Sequence, residues 1–345
     1  LIRGNTAANG GGGIYNYLGE CKVSQSVIRG NQTGNSGGGV YCFYTTSHFS
    51  YTIIDQNSAY LAGGIYCSNS ETTISNSTIR GNSSLISSGG GLAHFSGVST
   101  ITHSSFIENT SADKGGGVFK QGGDLYMRNS FVSGNTSTEE GGGIYSKNGL
   151  FFIKRSAIQG NTSDENGGGI FNLGNLTCRH VLITGNTSHL QGGGLYNDDN
   201  ASFNILNTTI TGNSSSENGG GIFVDPNSFI QLTLDNSIVA KNNADSLSPD
   251  IADMDTLISG NNNLIGDGSG QSGLIQGVDG NIVGDSLTQV DPLFLACVPP
   301  GDSLGGDLRL QACSPAINTG DNSKIFIPDS LDYIGNPSIA YDTVD

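Results

Sequence analysis

The sequence predicts an all-β fold: a parallel β-solenoid of about ten coils with an irregular C-terminal cap. One motif recurs along the chain, as in GNTSTEEGGGIYS at 134–146 and GNTSDENGGGIFN at 160–172. Short β-branched runs precede each copy and are broken by Gly, Asn and Ser, which is typical of strands joined by turns. No segment sustains a 3.6-residue apolar period over a helical length. A period near ~26 residues with two or three strands per unit indicates one turn of a β-solenoid.

The Asn of each I-x-G-N element marks the repeat. Successive markers lie 25 to 27 residues apart through nine copies, and a divergent tenth copy follows at Asn242. An Asn side chain tolerates a left-handed backbone and can hydrogen-bond to the copies above and below it. We therefore expect a structural Asn ladder at one corner of the coils. Its members are Asn5, Asn31, Asn57, Asn82, Asn109, Asn135, Asn161, Asn186 and Asn213.

The repeats divide the chain into two predicted parts. Residues 1–245 are expected to form the β-helix coils, because the marker keeps its spacing there. Residues 246–345 are expected to hold the last irregular coils and a capping segment. In the tenth copy Pro249 and Asp250 replace two of the glycines. A cap at this end would cover a sheet edge that otherwise recruits other chains.

Composition and charge exclude several classes of protein. The 345 residues include 54 glycines, about twice the usual share of roughly 7%. The formal net charge of −16 argues against nucleic acid or an anionic membrane as the main partner. No run approaches the ~18 apolar residues of a membrane-spanning helix, so direct membrane insertion is not expected. Because the chain begins within a repeat at Leu1, we expect it to be part of a longer parent chain.

An aromatic residue follows the aliphatic residue after the glycines in most copies. Strict strand alternation would turn these rings outward, as a ladder able to stack on sugar faces. The glycine bend could instead reset the alternation and bury the rings, where stacking would stabilise the solenoid without a ligand. Tyr145, Phe171 and Tyr196 are the candidate ligand-binding residues if the first alternative holds.

A row of hydroxyl residues follows the Asn markers. Flat Thr arrays can order water, but these copies mix Ser and Thr and include Gln32, so a polar turn is the preferred interpretation over ice binding. Several markers, such as Asn82 and Asn109, also begin N-x-S/T sequons. If their side chains stack inside the corner they cannot carry glycans.

The residues that could carry chemistry show no clear constellation, and no catalytic residue is assigned. The carboxylates scatter, with two adjacent aspartates at Asp198 and Asp199, and the five His lack a metal-ligand spacing. The stretch DGSGQSG at 267–273 resembles part of a Ca²⁺ loop. Asp267 and Asp279 are therefore the Ca²⁺ candidates, although the spaced acidic positions and closing Glu of an EF-hand are missing. We expect no other cofactor.

The six cysteines form three sets. Cys297 and Cys313 flank a Pro/Gly-rich loop outside the repeats, and a disulfide between them is predicted for a secreted protein. Cys42 and Cys67 hold the same offset one coil apart, so they should stack and could bond. The remaining two, Cys21 and Cys178, occupy apolar offsets and are expected to be small buried residues.

The C-terminal third carries a resemblance to a known family. It reads NNNLIGDGSGQSG, GNIVGDSLTQVDPLF, GDLRLQACSPAINTGDN and DYIGNPSI, after the upstream GGGIYN-like copies. Together these resemble right-handed parallel β-helix surface proteins with a choice-of-anchor Q type C-terminal segment. The GGGIYN-like copies are also similar to repeats of polymorphic outer-membrane proteins and related adhesins. The resemblance implies a right-handed solenoid at the bacterial cell surface or outside the cell.

The leading functional hypothesis is a non-enzymatic secreted or cell-surface module, an adhesin or stalk segment of a larger protein. Surface glycans or other cell-surface proteins are the partners that this hypothesis implies. The alternative is a β-helix protein that binds or degrades polysaccharides. An acidic cleft beside a basic residue on one face would favour the enzyme, and an even ladder without a cleft would favour the stalk. A self-assembling filament would require exposed coil ends.

Overall fold

A computed structural model confirms the predicted all-β parallel solenoid of about ten turns of ~26 residues. It describes residues 1–198, 201–225, 232–246, 248–253, 258–296, 307–324, 339–340 and 343–344. Within these ranges, no helix is long and apolar enough to cross a membrane.

A full coil contributes four strand segments, and equivalent segments of successive coils pair in parallel as four columns. The first three columns merge into one 26-stranded sheet, and the fourth is a separate 10-stranded sheet. The first column, which follows the glycines, comprises Ile14–Ser24, Val40–Ser50, Ile65–Ser68, Leu92–His94, Val118–Lys120, Ile144–Gln159, Ile170–Thr184, Leu195–Asn197, Ile222–Val224 and Ile251–Ala252.

Some first-column strands continue around the coil. Ile14–Ser24 and Val40–Ser50 extend into the second column, while Ile144–Gln159 and Ile170–Thr184 run through the second and third. The separate second-column strands are Ser70–Ser75, Gly97–Thr102, Asp124–Arg128, Phe203–Leu206, Leu232–Asp235 and Ile258–Ser259.

The third and fourth columns flank the Asn markers. The third-column strands are Ile2–Arg3, Val27–Arg29, Ile53–Asp55, Thr78–Arg80, Ser105–Ile107, Phe131–Ser133, Thr209–Thr211, Ile238–Ala240, Leu264–Ile265 and Ile282–Val283. The fourth-column strands are Thr6–Ala7, Gln32–Ser36, Ser58–Leu61, Ser83–Ser84, Thr110–Ser111, Thr136–Ser137, Thr162–Ser163, Thr187–Ser188, Ser214–Ser215 and Asn243–Ala244.

The core is a continuous apolar stack inside the coils. Register pairs each aliphatic residue with its equivalent in the next coil, as Ile144 pairs with Ile170 and Ile170 with Leu195. The apolar positions three and eight residues before the Asn markers supply most of the remaining core, for example Ile158 and Ile153. One coil therefore cannot bury its own apolar face, and the neighbouring coils complete it.

Each glycine triplet has two different steric requirements. The first glycine has a positive φ, 72° at Gly141, which residues with a Cβ rarely adopt. The other two pass close to the next coil. A Cβ at Gly142 would lie 2.3 Å from the Thr162 carbonyl oxygen, and one at Gly143 would lie 2.6 Å from the Gly169 carbonyl oxygen. The triplet thus allows neighbouring backbones to approach at the bend.

Replacing Gly142 by Ala should lower the free energy of unfolding by about 1–3 kcal/mol, because the new methyl group forces two coils apart. Gly34→Ala is the control, since its nearest heavy atoms would lie 3.9 Å away on the ring of Tyr60. We expect that control to change stability by no more than about 0.5 kcal/mol. Urea unfolding monitored by circular dichroism compares the two variants, and equal losses would refute the steric explanation.

Parallel pairing continues past residue 245, as far as Ile282–Val283, which pairs with Leu264–Ile265. Beyond it the pairing becomes antiparallel. Phe294–Ala296 pairs with Asp307–Leu310. A 3₁₀-helix at Asn322–Lys324 follows, and Ile339–Ala340 pairs with Thr343–Val344.

The segment after the last parallel strand packs against the side of the solenoid. Ala316 is buried with Ala240 and Leu264 of the third column, and Val290 and Leu310 pack against this cluster. These contacts cover outward-facing residues of the last coils. The division at residue 245 stays a prediction.

Candidate functional site

The predicted Asn markers form a buried hydrogen-bond ladder along one corner. In mid-solenoid the backbone N and the Nδ2 of Asn109 each donate to Oδ1 of Asn135 at 2.9 Å. Asn109 Nδ2 also donates to the Ile79 carbonyl at 3.0 Å. The same pattern runs from Asn5 to Asn242, with every Asn donating toward the C-terminal neighbour. The Asn ladder is therefore confirmed, and its buried side chains are closed to glycosylation in the folded protein.

The ladder ends on a buried carboxylate. Asn242 donates from its backbone N and from Nδ2 to Oδ1 of Asp250, at 3.0 and 2.8 Å. The backbone N of Asp267 donates to Oδ2 of Asp250 at 2.7 Å. Burial raises the pKa of Asp250 to about 7, against the lowering effect of these hydrogen bonds. Pro249-Asp250, where the sequence departs from the glycines, is thus the point at which the ladder stops.

The two Ca²⁺ candidates lie in different environments. Asp267 is buried, and it accepts hydrogen bonds from Ser269 Oγ at 2.6 Å and Gln289 Nε2 at 3.1 Å. Asp279 is exposed and has a φ of 50°. Over the described ranges, no group of three or more His, Cys, Asp or Glu is placed to hold a metal ion. The Ca²⁺ hypothesis stays a prediction.

The aromatic residues after the glycines form a second, separate ladder on the outside of the first column. The rings of Tyr145 and Phe171 are 5.4 Å apart and within 3° of parallel, and those of Phe171 and Tyr196 are 4.9 Å apart and within 8°. All three side chains are buried, with 3 to 6% of their surface exposed, in a cluster of their own. Strand alternation holds, but Gly167 at the bend lies against the Cβ of Phe171, and Lys114 Nζ, from the loop after Asn109, lies 5.4 Å from the centre of the Tyr145 ring.

This geometry bears on the three candidate ligand-binding residues. Both faces of Phe171 are occupied by neighbouring rings, so a sugar cannot stack on it without separating two coils. The packing alternative accounts for these contacts, and a ligand role for Tyr145, Phe171 and Tyr196 stays a prediction. Toward the N-terminal end the ladder is more open, and Tyr15 is 55% exposed.

The ladder is interrupted at one coil. Ala93 occupies the ring position in register between Tyr66 and Phe119. Phe95 turns into the gap but lies tilted, by 36° to Tyr66 and 57° to Phe119. Elsewhere in the ladder, rings of adjacent coils are within 19° of parallel. The regular stack is broken here.

A pocket of about 330 Å³ lies at this interruption. Its aromatic lining includes Phe95, Phe119 and Tyr145, the last of which is one of the three candidate ligand-binding residues. Its polar lining includes Asp113 and Gln121. Phe171 and Tyr196 do not line it. Two irregularities in the sequence mark the place: Ala in a ring position, and a spacing from Asn82 to Leu92 one residue longer than in most copies.

Polar side chains also line the inside of the first column, where sequence reasoning did not place them. His94 and Lys120 pair in register and are fully buried. His94 Nδ1 shares a hydrogen bond with Ser99 Oγ at 2.9 Å, and Lys120 Nζ donates to the Asn148 carbonyl. Burial lowers the pKa of His94 to about 4, with the charge of Lys120 adding to the effect, and it lowers the pKa of Lys120 to about 8. Their offset, polar in several copies, was the available signal.

The cysteine predictions have different outcomes. Cys42 and Cys67 pair in register inside the core, which confirms their stacking, and both carry free thiols. Cys178 is fully buried and Cys21 partly so. Cys313 is exposed. Cys297 lies outside the described residues, so the predicted disulfide stays a prediction.

A known family of repeats matches two stretches of the chain. The Chlamydia polymorphic membrane protein repeat matches residues 129–147 and 207–225. Both stretches start at the corner before a third-column strand and extend past the Asn marker and the glycines to the first column. No curated protein and no solved structure matches the chain. The choice-of-anchor resemblance of the C-terminal segment stays a prediction. Over two equivalent stretches, then, the chain is similar to a polymorphic membrane protein repeat, and this match and the solenoid together fit a β-helix surface protein.

Proposed function

We propose that this chain is a secreted or cell-surface β-helix module, an adhesin or stalk segment of a longer protein. The observation that carries the proposal is the repeat match at residues 129–147 and 207–225, on coils joined by the continuous Asn ladder and by the stacked aromatic rings. Polymorphic membrane proteins are associated with the outer-membrane surface, which supports a location at the bacterial cell surface. Surface glycans or other cell-surface proteins are the partner classes we propose.

Surface display and adhesion can be tested separately. Antibody against the purified chain should label intact cells that produce it, and external protease should remove the label. Beads coated with the chain should adhere to cells, whereas beads coated with heat-denatured chain should not. Label without adhesion would identify a stalk, because a stalk is displayed but carries no binding site. Absence of both signals would refute the proposal.

A further inference from the structure

The break in the aromatic ladder differs chemically from the rest of the ladder. On one side Phe119 stacks on Tyr145 at 5.2 Å and 13°. On the other side it faces Ala93, and the tilted ring of Phe95 only partly replaces the missing parallel ring. Apolar aromatic surface at this position therefore borders the pocket of about 330 Å³.

Polar groups of several kinds converge on the same pocket. Asp113 accepts a hydrogen bond from Ser88 Oγ at 2.7 Å, which fixes its carboxylate and leaves further acceptor capacity. Lys114 Nζ lies 2.9 Å from Glu140 Oε2 and 5.4 Å from the centre of the Tyr145 ring. The side chain of Gln121 is exposed and can both donate and accept.

We infer that this pocket is a saccharide-binding subsite for one or two neutral pyranose residues of a glycan. Its volume lies at the lower end of the roughly 300–1,000 Å³ typical of small-molecule sites. A pyranose has an apolar C–H face and a rim of hydroxyl groups. The C–H face can pack against the rings of Phe95 and Phe119. The hydroxyl groups can donate hydrogen bonds to the carboxylate of Asp113 and exchange hydrogen bonds with the amide of Gln121. The site rests on the proposed role as a surface adhesin and supplies the ligand class for it.

The chemistry favours a sugar over an aromatic or aliphatic peptide side chain. A buried apolar side chain would desolvate Asp113 and Lys114 without replacing their hydrogen bonds to water, which is unfavourable. Sugar hydroxyls donate to a carboxylate and accept from an ammonium group, so they replace those bonds. Polar groups on more than one side of the pocket can fix the orientation of the ring.

The test is saturation-transfer NMR with the whole chain and three probes. The probes are methyl β-galactopyranoside, methyl α-mannopyranoside and methyl 2-acetamido-2-deoxy-β-glucopyranoside. At least one should receive saturation, mainly at the C–H protons of one face. Asp113→Asn should weaken that binding by about tenfold, since a charged acceptor is lost. Glu165→Gln is the matched control: it removes a carboxylate from a later turn of the same type and should leave binding unchanged.

A second variant fills the site without removing its polar groups. Ala93→Phe combined with Phe95→Gln copies the next coil, where Phe119 stands at the position equivalent to Ala93 and Gln121 at the position equivalent to Phe95. The ring should complete the stack, keep the thermal unfolding temperature of the unchanged chain, and abolish binding of the glycoside.

Three results would overturn the subsite. They are no saturation transfer to any probe, undiminished binding in the folded double variant, and preferential binding of N-acetylphenylalanine methylamide. Bead adhesion separates this failure from that of the proposed function. Adhesion that persists in the double variant would leave the adhesin intact and place its binding surface elsewhere.

Discussion

Replacing Asn135 by Ala is expected to lower the free energy of unfolding by roughly 3–5 kcal/mol, the largest effect that we expect from a single substitution here. The backbone N–H of Asn109 loses its acceptor, and one of the two N–H groups at Nδ2 loses its acceptor while the other keeps the Ile79 carbonyl; both nitrogens are buried. The Phe106 carbonyl and Oδ1 of Asn161 each lose a donor at 3.0 and 2.9 Å. A buried donor without a partner costs about 1–3 kcal/mol, so two of them account for most of the loss.

Urea unfolding followed by circular dichroism measures this effect. Thr136→Ala is the control. Thr136 directly follows Asn135 and is exposed, so the loss of its side chain should change the free energy of unfolding by no more than about 0.5 kcal/mol. If Asn135→Ala unfolded at the same urea concentration as the control, the hydrogen bonds of the Asn ladder would not contribute to the stability of the fold.

The second large effect is a pair of opposed pH dependences. Between about pH 4 and 6.5, His94 binds a proton in the unfolded chain but not in the folded chain, where its pKa is about 4. Stability from this group therefore rises with pH from about 4 to 6.5, by about 3 kcal/mol.

Asp250 has the opposite pH dependence. Its folded pKa of about 7 exceeds the unfolded value near 3.8, so the fold holds a proton that the unfolded chain releases. Stability from Asp250 falls between those values by about 4 kcal/mol.

The two contributions nearly cancel between pH 4 and 6.5, so the unchanged chain should show a shallow profile there. Single substitutions should reveal each contribution. His94→Asn should leave a stability that falls as pH rises toward 7, and Asp250→Asn should leave one that rises from pH 4 to 6.5. Thr136→Ala, at an exposed residue without a titratable side chain, should leave the profile shallow. Urea midpoints measured at intervals of half a pH unit test the pair, and parallel profiles for the two variants would contradict the assignment.

The sequence was sufficient for the fold because the repeat itself encodes register. The constant spacing of the Asn markers places Asn109 beside Asn135, and both the ladder and the apolar stack follow from that spacing. Whether the rings faced solvent could not be read in the same way. Tyr145 and Phe171 alternate outward as strand geometry requires, yet both are buried, with Lys114 of a neighbouring loop over Tyr145 and Gly167 of the bend against Phe171. Loop paths of this kind are not encoded in a two-residue period.

The pocket was harder to predict for a different reason. The sequence has Ala93 where most copies have an aromatic residue, but it does not indicate which neighbouring side chain fills the space of the missing ring. In the fold, Phe95 enters the gap at a tilt, and Asp113 and Gln121 border the remaining space, which no spacing in the sequence indicates. The buried His94 and Lys120 were likewise assigned no role, because their offset accommodates Cys, Ser and Asn in other copies.

The in-register pairing of the coils also has a mechanical meaning. Each step between Asn markers stores 25 to 27 residues of chain in a rise of about 4.8 Å. Pulled out straight, that length of chain would span about 90 Å. A solenoid loaded from one end can release its coils one after another, each release breaking the pairs of all four columns before the next coil bears the load. At a cell surface, such a body would yield in discrete lengths under shear while the coils still folded keep their shape.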